Sequence, residues 1–229
     1  MDVKPQMQLL FGDRLRSHSL KILIYSYAYI KLSLAMKIYM MSANKHKLEE
    51  MGAILAPLGF ELMSHPDYSG INVEETGESF EENAALKAEA LVVPDGAYAL
   101  ADDSGIAVDA LYGAPGVYSA RYAGENTSDE ENYKKLLYEM RGVADRRAAF
   151  VCVLALAENG KTVAIFRGEL WGAVADAAKG EGGFGYDPIF ILEDGRSIAE
   201  LSPVEKNSIS HRRRALDKLV AWLKETSLN

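Results

Sequence analysis

The sequence predicts an α/β fold with a mixed sheet flanked by helices, and three observations carry that prediction. The chain opens its patterned part with a strand, a loop and a helix; three Ser-x-x-Glu capping boxes precede helical patterns; and two long apolar runs are joined by Asn159-Gly160. A strand that leads into a helix favours parallel pairing, whereas Asn-Gly between apolar runs is a hairpin signal, so the sheet combines both senses. At 229 residues, 48% of them hydrophobic, the chain is long enough to bury the core of one full domain.

The elements follow in order. Lys37-Ile38-Tyr39-Met40-Met41 reads as the opening strand, and Ser42 to Lys47 as the loop into a helix with Leu48, Met51, Leu55 and Leu58 on one face. Gly59 stops that helix and Phe60 to Met63 makes the next strand. Ser79 and Glu82 cap a helix running to about Val93, closed by Pro94 and Gly96. Gly96 to Ala101 is then a mostly buried strand that breaks into a turn at Asp102-Asp103-Ser104-Gly105, with a short strand resuming around Ile106 to Val108. Ser128 and Glu131 cap a helix ending near Arg141, Ala148 to Ala157 and Lys161 to Ala175 form the hairpin, Ser202-Pro203-Val204-Glu205 is another capping box, and a last helix spans about Arg212 to Lys224.

Residues 1–35 fit none of this. The apolar stretch Leu20 to Ile38 is divided by Lys21, Lys31 and Lys37 into pieces too short to span a bilayer as a helix. Ser33-Leu34-Ala35 resembles a small-residue cleavage site, but the tyrosines and Lys31 weaken a signal-peptide reading. The expectation is that residues 1–35 are an extension, dispensable or mispredicted, and that residues 36–229 form the functional domain.

Charge narrows the function classes. The formal net charge is -8, and residues 1–35 hold five Lys/Arg against two Asp/Glu, which leaves -11 for the rest. So acidic a body is a poor general nucleic-acid binder, and a polyanionic substrate must meet a local cluster of cations helped by a divalent metal. Lys47, Lys87, Lys206 and Arg212 are the candidates. The single cysteine, Cys152, lies in an apolar run, so an intrachain disulfide is impossible and a reducing, cytoplasmic setting is expected.

Five segments carry potential chemistry. Asp102 and Asp103 are adjacent in an extended stretch and so point to opposite faces, one free to hold a cation while the other handles a proton; the same residues are also ordinary turn formers. Ser42-Ala43-Asn44-Lys45-His46-Lys47 joins a strand to a helix, where backbone N–H groups favour an anion, although a plain capped helix has the same composition. Glu75 could join Asp103 around a magnesium ion, which prefers a few carboxylates plus substrate phosphates, with Lys87 on the following helix. Gly183-Phe184-Gly185-Tyr186-Asp187-Pro188 sets two rings and a carboxylate on a glycine-rich loop, suited to stacking a purine or to packing inward. Lys206 to Arg214 concentrates cations around His211 and Arg212, which is also how a solvated face reads.

Together and in this order, these motifs resemble the non-canonical purine nucleoside triphosphate pyrophosphatases, the ITP/XTP/dITP-hydrolysing family. Glu75-Thr76-Gly77 through Asn83 to Lys87, and Ala114-Pro115-Gly116-Val117-Tyr118-Ser119-Ala120-Arg121-Tyr122, belong to the same series, and the likeness covers roughly Met36 to Leu223. The acidic body and the divided apolar stretch argue for no nucleic-acid or membrane partner; the resemblance implies an elongated mixed sheet, two lobes with the active site in the cleft between them, a homodimer, and magnesium-dependent hydrolysis to the monophosphate and pyrophosphate. It further implies Asp103 as proton acceptor and metal-linked carboxylate, supported by Asp102 and Glu75. Ser42 to Lys47, Lys87 and Ser104 would hold phosphate and sugar. Phe184, Gly185, Tyr186, Asp187, Lys206, His211 and Arg212 would surround the base. Ser42 stands where the family usually has threonine and Ala43 where glycine is common, so the hydroxyl survives on a slightly stiffer loop. A relative acting on pyrimidine or modified nucleotides, or a nucleotide-binding module without turnover, are the competing readings that a substrate panel separates.

Overall fold

The computed structural model describes residues 37–40, 45–56, 60–64 and 73–226, all within the unit Lys37–Asn229. The expectations for residues 1–35 therefore lie outside the described residues. The elements are β1 (Lys37–Met40), α1 (Lys45–Leu55), β2 (Glu61–Ser64), α2 (Phe80–Glu89), β3 (Tyr98–Val108), α3 (Asp129–Glu139), β4 (Arg147–Glu158), β5 (Lys161–Val174), β6 (Phe190–Ile191), α4 (Pro203–Ile209) and α5 (His211–Thr226). They build one six-stranded sheet in the order β2-β1-β3-β4-β5-β6. β1 pairs in parallel with β2 and β3, and the remaining neighbours are antiparallel, as the sequence pattern predicts.

The hairpin forms where Asn-Gly demands it. Asn159 and Gly160 both take positive φ, 51° and 72°, the geometry whose twist matches two antiparallel strands. β4 is buried along almost its whole length and forms the centre of the sheet. All three predicted capping boxes are present, with Ser79, Ser128 and Ser202 accepting from the backbone N–H of Glu82, Glu131 and Glu205; each cap stabilises its helix by about 1 kcal/mol.

Two expectations are corrected. α2 ends at Glu89 rather than near Val93, because the chain must turn at Pro94 and Gly96 to enter β3. The larger correction concerns Asp102-Asp103-Ser104-Gly105, which does not break the strand. β3 is continuous over 11 residues, and these four pair with Leu154, Val153, Cys152 and Val151 of β4. Backbone pairing to a fully apolar neighbour overrides the local turn preference of the side chains. Gly105 has a packing role instead: a Cβ there would lie 2.3 Å from Ser119 Oγ and 2.6 Å from the Gly116 carbonyl oxygen.

The sheet separates two cores. Phe80, Ala84 and Ala88 of α2 pack on Ala99, Ala101, Val151, Val153 and Ala155 on one face. The other gathers Ile106, Val108, Phe150, Leu170, Tyr186, Ile189 and Phe190 with Leu136 and Met140. α5 buries Ala215, Leu216, Leu219, Val220 and Leu223, a single stripe at helical spacing. It runs close along β5 because position 168 is glycine: a Cβ there would meet the His211 carbonyl oxygen at 2.1 Å.

Candidate active site

Strand alternation places Asp103 on the α2 face and Asp102 with Ser104 on the other. Both carboxylates are buried, at 4% and 7% exposure for Asp102 and Asp103. The Ser104 hydroxyl donates to Asp102 Oδ2 at 3.1 Å. On the opposite face α2 carries Lys87 over the strand, where its Nζ donates to Asp103 Oδ1 at 2.9 Å and to Glu75 Oε1 at 3.2 Å. Arg121 Nη1 stands 3.5 Å from the second oxygen, Glu75 Oε2. The result is an alternating row of charges, Arg121, Glu75, Lys87, Asp103.

The electrostatics follow from burial and from this row. Burial raises the pKa of Asp103; Lys87 pulls it back down, and the neighbouring Glu75 and Asp102 raise it again, for a net rise. For Lys87, burial opposes the charged form, but Asp103, Asp102 and Glu75 outweigh it and the pKa is raised. Asp103 Oδ2 is buried with no hydrogen-bond partner among the described residues. An unpaired buried carboxylate oxygen is costly unless it serves a ligand or a proton. Among the described residues no group of three or more His, Cys, Asp or Glu side chains is arranged for a metal. The expected pair, Glu75 and Asp103, is within reach of one shared cation, since Lys87 touches both, and its hard oxygen donors suit magnesium.

Glu75 sits in an irregular segment that α2 holds in place. Asn83, fully buried, accepts from the Gly77 N–H at 2.8 Å and donates to the Gly77 carbonyl at 3.3 Å. A Cβ on Gly77 would come within 2.7 Å of Asn83 Oδ1. Asn83 and Arg121 are absent from the site predicted from sequence, although both lie within its motifs. The signal was an amide four residues before Lys87, on the same helix face.

On the Asp102 side, a cavity of about 220 Å³ is lined by Ser104, Phe150, Phe184, Gly185, Tyr186, Asp187, Lys206, His211 and Arg212 among others. Every residue expected around the base is there. Their places within the wall differ from one another. Tyr186 is buried and its hydroxyl donates to the Ser119 carbonyl at 2.7 Å, so that ring is part of the core. Asp187 Oδ2 accepts from the Phe184 N–H at 2.9 Å and from Lys206 Nζ at 2.7 Å, which fixes the loop and the lysine together. Gly183 is required beside it: its φ is 76°, and a Cβ there would lie 2.1 Å from that oxygen. Lys206 Nζ lies 4.1 Å from the centre of the Phe184 ring, and His211 stacks on Phe150 at 5.1 Å. A second cavity of about 440 Å³, lined by Glu49, Ile198, Leu201, Pro203 and Asn207, shares Phe184 and Lys206 with the first.

The phosphate-loop prediction is only partly within view. Ser42, Ala43 and Asn44 lie outside the described residues, and Lys45, His46 and Lys47 form the first turn of α1. No acidic residue occupies that turn.

A mixed sheet with a row of carboxylates and lysine against one strand, next to a cavity walled by aromatic rings and cations, is the framework of an α/β enzyme. The comparisons with known proteins agree. The family model described as the Ham1 family matches residues 38–222, and the chain belongs to that family. The chain is similar to the dITP/XTP pyrophosphatase of Vibrio vulnificus (strain YJ016), 47% identical over 197 residues covering 84% of this chain and 98% of the relative. It is 52% identical over 177 residues to the dITP/XTP pyrophosphatase of Geobacter sulfurreducens, covering 76% of this chain and 89% of that one. Among solved structures, a HAM1 protein from Coxiella burnetii superposes with a TM-score of 0.77 at 44% identity, covering 83% of this chain and 99% of that chain.

Proposed function

We propose that this protein hydrolyses non-canonical purine nucleoside triphosphates, dITP, ITP and XTP, to the monophosphate and pyrophosphate, removing them from the nucleotide pool. The observation that carries the reading is the juxtaposition on β3: Asp103 with Lys87 and Glu75 on one face, and Asp102 with Ser104 leading into the cation-walled cavity on the other. The named activity of the relatives supports it.

In this reading Asp103 takes a proton from the water that attacks the α-phosphorus. Glu75 and Asp103 would hold magnesium, which supplies charge neutralisation for the triphosphate and activation of the water. Lys87, Ser104 and the segment Ser42, Ala43, Asn44, Lys45, His46, Lys47 hold phosphates and sugar, and the first N–H groups of α1 favour the anion. Phe184 offers the ring for stacking. His211 or Arg212 donates toward the purine 6-oxo group and Asp187 accepts from the ring N–H; adenine presents the reverse pattern and leaves those groups unpaired, a mismatch that rejects a substrate by up to roughly 10⁴-fold.

We further read the protein as a cytoplasmic homodimer whose site lies between two lobes. Among the described residues no helix is long and apolar enough to cross a membrane. The test is incubation of the purified protein with ITP, dITP, XTP or ATP and magnesium, with an Asp103→Asn variant alongside. IMP and pyrophosphate from ITP, little product from ATP and almost none from the variant are expected. Preference for a pyrimidine triphosphate, or turnover indifferent to Asp103, would overturn the reading.

A further inference from the structure

Arg121 has no part in the site as predicted, yet its guanidinium reaches that site. It is the last residue of a short 3₁₀ segment, Gly116–Arg121, that is anchored firmly to β3. Ser119, buried at 5% exposure, accepts from the Ile106 N–H at 3.0 Å and donates to the Gly116 carbonyl at 2.6 Å. Tyr186 adds a hydrogen bond to the Ser119 carbonyl. Arg121 is thus carried on a fixed platform, with its guanidinium 5.2 Å from the centre of the Tyr118 ring.

Glu75 faces a different cation with each oxygen. Lys87 holds Oε1 at 3.2 Å and also Asp103 at 2.9 Å, and is 14% exposed. Arg121 approaches Oε2 at 3.5 Å and is 29% exposed. Arg121 is therefore the longer, wetter and more easily displaced of the two contacts. A divalent cation needs carboxylate oxygens free of other cations, so its arrival at Glu75 competes with Arg121. On the proposed reading of the site, a guanidinium released there stands beside the phosphates that Lys87 would hold, and its planar fork matches phosphate oxygens.

We propose that Arg121 is a charge that is handed over: it neutralises Glu75 before the metal binds, then transfers to the substrate phosphates. This rests on the reading of the site given above, and its first test is independent of turnover. Manganese is titrated into the nucleotide-free protein and followed by electron paramagnetic resonance. Arg121→Ala should bind manganese about fivefold more tightly than the unaltered protein, because a competing positive charge has gone. Arg121→Lys, which keeps the charge, should bind it nearly as the unaltered protein does. With ITP, Arg121→Ala should raise KM about tenfold with little change in kcat, as expected for lost binding shared by ground and transition states. Arg121→Gln, which keeps more of the packing on Tyr118, should follow Arg121→Ala in both measurements. Manganese affinity that is unchanged or weaker in both neutral variants would overturn the competition, and an unchanged KM would overturn the phosphate contact. Failure of the unaltered protein to hydrolyse ITP would instead reject the proposed activity, while the manganese titration still judges the exchange at Glu75.

Discussion

Lys87 Nζ stands 2.9 Å from Asp103 Oδ1 and 3.2 Å from Glu75 Oε1, so one ammonium ties the carboxylate of a central strand to that of an irregular loop. The tie crosses between elements that are distant in sequence, and it keeps two buried or half-buried negative charges close together without mutual repulsion dominating. Lys87→Met removes it. Breaking a buried ion pair by deleting one partner costs about 3 kcal/mol. A lower urea midpoint and at least a hundredfold loss of ITP turnover are expected, the second because the placement of Asp103 and the proposed phosphate contact go together.

Lys206 and Asp187 make the matching pair on the cavity side. Their side chains are 12% and 5% exposed and 2.7 Å apart. Lys206→Met should lower the Tm by roughly 10 °C, through loss of a buried pair in a domain of this size. The same change should raise KM for ITP, since the cation that lies against the Phe184 ring is gone. Calorimetry and steady-state kinetics on one preparation check both.

Gly105 tests the corrected course of β3. A glycine serving only a turn would accept alanine with little effect at ordinary φ, whereas here a methyl group meets Ser119 and the Gly116 backbone. Gly105→Ala should destabilise by about 1 to 3 kcal/mol through overpacking. Activity should fall further than stability alone explains, because the displaced segment carries Arg121. Chemical denaturation beside turnover at a temperature where the variant stays folded separates the two effects.

Glu205 gives a dependence on pH. Its carboxyl is held down at about 2, first by the Ser202 hydroxyl, then by the Ser202 N–H and by Arg196. A group whose folded pKa is depressed contributes stability that is fully present above its unfolded pKa, near 4.5, and is lost as pH falls through the folded value. Glu205→Ala should therefore melt lower than the unaltered protein above pH 4.5, and the gap should close between there and about pH 2. A gap that stays constant with pH would mean that packing, not the capping charge, is responsible.

Much of this protein was legible in its sequence because the signals are local. Capping boxes at Ser79, Ser128 and Ser202 depend on residues three apart, and the hairpin at Asn159-Gly160 depends on two positive φ angles, so no distant contact is needed to read either. The order of motifs was enough to group residues that the structure places around one cavity. What local reading misjudged was Asp102-Asp103-Ser104-Gly105, whose side chains favour a turn in isolation. Only pairing with the apolar residues of β4 makes them strand, because backbone hydrogen bonds across the sheet outweigh that preference.

The tertiary structure alone decided the use of each polar group. Whether Tyr186 would stack on a ligand or enter the core depended on the Ser119 carbonyl, 67 residues away, and Asp187 is held by Lys206 and by the loop backbone. Arg121 and Asn83 became part of the site through contacts with a loop that carries no periodic signal. Composition and spacing determine which elements form and which charges are available; burial determines which of those charges must pair, and only the packed sheet brings the pairs within reach.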